Sequence, residues 1–252
     1  MFGQMKMKHD YPMIKVFSLL AGAGLALSAT GALAANAEND NELITSGDFD
    51  GDGRQDLVIV DKDTGKYRLG YQKEAGAYTW VNFRPSGLKY VVGVGTGKVL
   101  GAKCDSLVLS SADGNQVLVI DASDSTKAIA PITVPFNKLG PSTALAVDIG
   151  GAGNTPLADI YVGCQYETPT KSFLMRNDGK QYTIMAEQEL DGEPSKGIRF
   201  SLKAGGPELV GMLIKGDEKT SFRVDDLSSG KVVPVAATEV PADADYTIGN
   251  FR

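Results

Sequence analysis

The chain has 252 residues, a formal net charge of −6 and a single histidine, His9. Once the leader described below is set aside no imidazole remains, which excludes Ser-His-Asp and Cys-His nucleophiles, HExxH sites and every His-ligated zinc or iron centre. The acidic balance, with no basic stripe, argues against a nucleic-acid partner.

Residues 13–34 read as an export leader. Lys15 gives a positive n-region, Val16 to Leu27 an apolar h-region, and Ala32-Leu33-Ala34 a small-x-small cleavage signal. The expectation is a signal peptide over 1–34, a linker over 35–41 and a periplasmic or extracellular mature chain of 218 residues with 22 basic and 30 acidic side chains. No later segment has the apolar length of a membrane span. In an oxidising compartment Cys104 and Cys164 allow one disulfide. Two buried free thiols in separate strands are the alternative.

From residue 42 onward the chain repeats. Asp56, Asp105, Asp159 and Glu208 lie 49, 54 and 49 residues apart, and each is followed by a Val/Leu/Ile-rich run. A turn falls about nine residues after each (Gly65, Gly114, Thr168-Pro169, Gly216 to Lys219). A second falls about twenty residues on (Gly76, Asp124-Ser125, Asn177 to Gly179, Ser228 to Gly230). Between the two turns of the first unit Tyr67, Leu69 and Tyr71 alternate at the strand period. Apolar strand candidates precede the acids at Glu42–Thr45, Tyr90–Val94, Ala144–Val147 and Ile198–Leu202.

Four short antiparallel strands per unit of about 50 residues is the pattern of propeller blades, which bury their faces by stacking on neighbours. The predicted fold is therefore all-β: a β-propeller-like array of about four four-stranded antiparallel blades, plus the first strand of a fifth. The units span about 42–88, 89–142, 143–196 and 197–244. The partial fifth, 245–252, rests on TIGNFR echoing ITSGDFD.

The chemistry concentrates in GDFDGDGRQDLVIVD, residues 47–61. Asp48, Asp50, Asp52 and Asp56 occupy positions 1, 3, 5 and 9 of a loop that Gly51 and Gly53 allow to curl. So many carboxylates call for a hard cation with oxygen ligands, Ca²⁺ in preference to Mg²⁺, with the Arg54 carbonyl as a further ligand at position 7. An EF-hand is excluded, because Ile59 stands where the bidentate Glu belongs and the flanks read as strands. A second, weaker site in the third unit would use Asp148 and Asp159.

GDFDGDGRQDLVIVD resembles the FG-GAP/VCBS repeat of integrin-alpha-like β-propellers and of many secreted bacterial proteins. The resemblance implies one Ca²⁺ that stiffens a blade and a non-catalytic binding or adhesion module for a protein or glycan. The alternatives are a carbohydrate-active propeller enzyme using carboxylates, or a fragment or subunit of a larger propeller that self-associates or takes a second chain. Tyr71, Tyr78, Trp80 and Phe83 form an aromatic group in the first unit, and the expected role of such strand aromatics is blade packing.

Overall fold

The structure is a computed structural model that describes residues 41–74, 76–149, 156–202 and 208–244. The expected leader and most of the linker, and the partial fifth unit, lie outside the described residues. Every regular element described is a strand, and no helix among these residues is long and apolar enough to cross a membrane.

Seventeen strands form four antiparallel sheets in which neighbours follow chain order, so each sheet is a meander. The first contains β1 (Glu42–Gly47), β2 (Asp56–Asp61), β3 (Lys66–Glu74) and β4 (Ala77–Trp80), with a two-residue β5 (Arg84–Pro85) also paired to β3. The second contains β6 (Gly93–Gly97), β7 (Ser106–Ser111), β8 (Gln116–Asp121) and β9 (Ile132–Thr133). The third contains β10 (Pro141–Val147), β11 (Asp159–Cys164), β12 (Lys171–Asn177) and β13 (Tyr182–Glu189). The fourth contains β14 (Glu193–Phe200), β15 (Leu209–Lys215), β16 (Thr220–Asp226) and β17 (Val233–Val240). The fold is thus a propeller-like array of four blades.

Alternation along the strands gives each blade two apolar faces, and three cores join successive blades. Val58, Val60, Tyr67, Leu69 and Tyr71 of the first blade meet Leu107, Leu109, Leu118 and Ile120 of the second. Val108, Val117 and Val119 on the other face of the second meet Ile160, Val162, Phe173 and Met175 of the third. Tyr161, Leu145 and Leu174 then meet Val210, Met212 and Ile214 of the fourth.

The first strands of successive blades approach most closely, β1 on β6, β6 on β10 and β10 on β14. That approach explains the small-residue sequence of β6. A Cβ on Gly95 would lie 2.7 Å from the Ala144 carbonyl oxygen and 3.0 Å from the Leu145 Cα. Both are backbone atoms, so the strands must separate to admit a methyl group. Gly95→Ala is expected to cost about 1–3 kcal/mol by overpacking, read as a lower denaturation midpoint at unchanged slope.

The registers correct the repeat as read from the sequence. The second strands begin at Asp56, Ser106, Asp159 and Leu209, paired with Gly47, Gly97, Val147 and Phe200. Equivalent positions are therefore 50, 53 and 50 residues apart, and Asp105 and Glu208 each stand one residue before theirs. Their role is different as well. Asp105 Oδ2 accepts the Asp48 N–H at 2.9 Å while the Asp105 N–H donates to the Asp48 carbonyl at 2.7 Å. Glu208 accepts the Asp148 N–H in the same way. Both are carboxylate staples from one blade to the preceding one. At the middle junction only the backbone half survives, Ala158 N–H to the Lys98 carbonyl at 2.9 Å.

A charged group is buried between the third and fourth blades. Asp225, fully buried, accepts the Tyr161 hydroxyl at 2.9 Å and Arg223 Nε at 2.8 Å, and Arg223 Nη1 donates to the Glu189 carbonyl at 3.2 Å. Burial and the adjacent Asp225 carboxylate hold the Tyr161 pKa well above the ordinary tyrosine value. The two cysteines are free thiols, so the disulfide expectation gives way, and of the alternative of two buried thiols in strands only Cys164, buried in β11, fits; Cys104 is half-buried just before β7. Burial pushes both thiols above the usual cysteine range.

Candidate metal centre

The residues between β1 and β2 curl because Gly51 and Gly53 take φ values of 73° and 85°, a region that L side chains rarely adopt. The curl wraps backbone donors around Asp48. Its Oδ1 accepts the N–H groups of Gly51 at 2.8 Å and Asp52 at 3.1 Å, and its Oδ2 accepts that of Gly53 at 3.0 Å. Asp56 anchors the other end of the loop from within β2. It is fully buried, with Oδ2 accepting the Phe49 N–H at 2.9 Å and Oδ1 the Gln72 N–H at 2.8 Å. Burial raises the Asp56 pKa against the lowering effect of these two N–H bonds, and Asp50 nearby raises it further.

Asp48, Asp50 and Asp56 each offer a carboxylate oxygen within 4.8 Å of the other two. Asp50 differs from its neighbours in one respect. Its Oδ1 is buried without a hydrogen-bond partner, while its Oδ2 faces Lys73 Nζ at 3.2 Å. A buried carboxylate oxygen lacking a donor is costly, and a cation between the three carboxylates would satisfy it. The oxygen-only donor set fits a hard cation such as Ca²⁺.

Of the five ligands expected from the loop spacing, three thus converge. Asp52 is engaged elsewhere: its carboxylate pairs with the Arg54 guanidinium and accepts the Arg54 N–H at 2.9 Å. The Arg54 side chain also reaches across to β3, Nε donating to the Gln72 carbonyl at 2.9 Å. Lys73, which the sequence did not single out, stands beside the cluster as a built-in counter-charge.

In the third blade, Asp159 takes the place of Asp56. It is buried, its Oδ1 accepts the Asn177 N–H at 2.7 Å as Asp56 accepts Gln72, and burial raises its pKa. The loop that would complete a second site includes residues 150–155, which lie outside the described residues.

The aromatic group of the first blade divides. Tyr71 belongs to the core, its hydroxyl donating to the Ala122 carbonyl at 2.6 Å. Trp80 and Phe83 are exposed, with the Arg68 guanidinium 4.8 Å and 5.2 Å from their ring centroids. The opposite end of the array from the Asp loop, where second strands turn into third strands, presents Tyr90, Val92, Leu139 and Tyr166 to solvent. Tyr166 is tied down by its hydroxyl to Asp113 at 2.9 Å.

No protein-family model matches this chain, and no curated protein matches it. Among solved structures, one similar to it is hydrazine synthase of Kuenenia stuttgartiensis, at 14% identity and a TM-score of 0.49 over 84% of this chain and 53% of that one. The chain spans about half the length of that structure.

Proposed function

We propose that this chain is an exported, non-catalytic binding module of the FG-GAP/VCBS kind, stiffened by one Ca²⁺ and recognising a protein or glycan. The observation that carries the calcium reading is the Asp48–Asp50–Asp56 cluster with its buried, unpartnered Asp50 oxygen. The placement of the loop supports a stabilising role. It joins β1 to β2 and is stapled to the second blade through Asp105, while the exposed Tyr90, Leu139 and Tyr166 lie at the other end of the blades. A cation in the loop would lock the first two blades together without touching a ligand held at that end. Export rests on the leader read over residues 13–34.

The test is a thermal melt with and without calcium. At the affinities of extracellular sites, millimolar Ca²⁺ is expected to add about 1 kcal/mol of stability and to raise Tm accordingly. Asp50→Ala is expected to abolish that rise. Lys73→Met, which removes the competing ammonium, should bring the half-maximal rise to a lower calcium concentration. An unchanged wild-type Tm in calcium, or an Asp50→Ala variant that keeps the shift, refutes the reading.

A further inference from the structure

Tyr166 lies in the turn between β11 and β12, at the end of the array away from the Asp loop, where the third blade meets the second. These are the two inner blades, flanked by the first and the fourth, so its surroundings owe nothing to the ends of the array. It is 49% exposed, yet it is fixed at both ends. The hydroxyl donates to Asp113 Oδ1 at 2.9 Å, in the β7–β8 turn of the second blade. The ring lies against Gly140, in the connection from the second blade to the third: a Cβ there would fall 2.6 Å from both Cγ and Cδ2 of Tyr166. Gly140 is held in turn, its N–H donating to Asn115 Oδ1 at 2.8 Å and its carbonyl accepting the Gln165 N–H at 2.8 Å. Beside it, Glu167 Oε1 accepts the Leu139 N–H at 2.7 Å.

Surface filling requires none of these ties. A ring ordered before contact loses little further freedom when a ligand covers it, which is what preorganisation contributes to affinity. The groups around the ring are hydrogen-bonding ones. Asp113 is exposed, and Asn115, whose side-chain oxygen serves Gly140, keeps its amide N–H groups as donors. The charges that act on Tyr166 are negative. The Asp113 hydrogen bond and the Glu193 carboxylate both push its pKa up, and Glu167 follows it in the chain. The Lys138 ammonium instead lies over the Phe173 ring, 5.3 Å from its centroid.

We infer that Tyr166 is the stacking platform of a glycan-binding site, and that its ligand is a neutral or amino-bearing sugar. A pyranose has an apolar face of C–H groups ringed by hydroxyls. Tyr166 offers that face a flat apolar ring, with the Asp113 carboxylate as acceptor and the Asn115 amide as donor for the hydroxyls. The carboxylates disfavour a uronic, sialylated or sulfated sugar by like-charge repulsion. A protein partner would call for a broader apolar centre, whereas here polar groups come up to a single ring and the adjacent exposed Leu139. The inference rests on the binding-module reading and narrows its ligand from a protein or glycan to a glycan. It uses no residue of the Asp loop.

Binding of the purified chain to an array of immobilised neutral, amino-bearing and acidic oligosaccharides tests it. The wild type is expected to bind neutral or amino-bearing members and no acidic one. Tyr166→Ala should melt like the wild type and weaken that binding by about tenfold or more. Tyr166→Phe keeps the ring without its tie to Asp113, and should bind between the two. Asn115→Asp provides a second variant should Tyr166→Ala fold poorly: it keeps an acceptor for the Gly140 N–H, removes the amide donor and should also weaken binding. A folded wild type that binds no glycan, or only acidic ones, overturns the inference. So do folded variants that bind as the wild type does, an outcome that leaves the binding-module reading standing with its site elsewhere. Failure of the calcium half of that reading would show in the calcium melts, whatever the array gives.

Discussion

Asp225→Ala is expected to destabilise the protein by about 3–5 kcal/mol, because it breaks a buried ion pair from one side. The alanine leaves the Arg223 guanidinium in the junction between the third and fourth blades with only the Glu189 carbonyl for company; its Nη2 already lacks a partner. It also strips the carboxylate acceptor from the Tyr161 hydroxyl, leaving the weakly accepting Met212 sulfur at 3.7 Å. Denaturant unfolding at neutral pH measures the loss as a shift of midpoint at constant slope. Tyr161→Phe, which leaves the charge pair intact, should cost only about 1 kcal/mol. Replacing both charges with apolar residues, Arg223→Met with Asp225→Leu, is expected to recover much of the alanine loss, since no lone charge is then buried. Tyr161 adds an alkaline signature. Its pKa is raised in the folded state, so its contribution is complete below the ordinary tyrosine range. It is lost as pH rises and the unfolded chain ionises first, and Tyr161→Phe should flatten that part of the stability profile.

That pair illustrates what the sequence conceals. Thr220–Asp226 reads as an ordinary alternating strand, and nothing local says that Tyr161, 64 residues before Asp225, will face it. The strands themselves were legible, because period-two runs and two turn offsets recur in all four units, and four strands per blade in chain order stand, with the two-residue β5 added in the first. Register was not. Turn positions tolerate an error of one residue, whereas side-chain direction inverts with it. Asp105 and Glu208, read as remnants of the Asp56 position, are for that reason staples to the preceding blade. The start of β14 was hidden by Pro194 and by an irregularity between Ser195 and Ile198, where Lys196 has a positive φ. In the Asp loop the spacing located the convergence correctly for Asp48, Asp50 and Asp56. It did not show that an arginine two residues after Asp52 would take that carboxylate for itself. Likewise, Tyr71 and Trp80 look equivalent in sequence and differ because Tyr71 lies on the face that packs on the second blade, whereas Trp80 is opposed to Gly70 on the other face.

The cluster makes a second strong prediction, in which two of its aspartates behave oppositely. Asp56→Ala is expected to cost about 2–4 kcal/mol, because it orphans the buried Phe49 N–H at about 1–3 kcal/mol and the partly buried Gln72 N–H at about 1 kcal/mol. The Phe49 ring lies in the first inter-blade core, and Gln72 belongs to β3. Losing both ties would free the loop from the sheet, so most of the cost should already appear in chelator, and calcium should add about 1 kcal/mol more because a ligand is lost as well. Asp56→Asn keeps one acceptor oxygen but turns an amide donor toward the other N–H, and should fall between wild type and alanine. Asp50 has no such anchoring duty: one oxygen meets only the half-exposed Lys73 and the other meets nothing. In chelator Asp50→Ala should therefore leave stability unchanged or slightly higher, because it removes a buried oxygen that lacks a donor together with an ion pair of the solvent-screened kind that contributes little. Its loss should emerge only when calcium is added. In a purely structural acidic turn the cost of each variant relative to wild type would be the same with and without calcium. A cation site shows the crossed pattern, with Asp56 costly in both conditions and Asp50 costly in one. Six melts, wild type and each variant with and without calcium, distinguish an aspartate that builds the loop from one that waits for the ion.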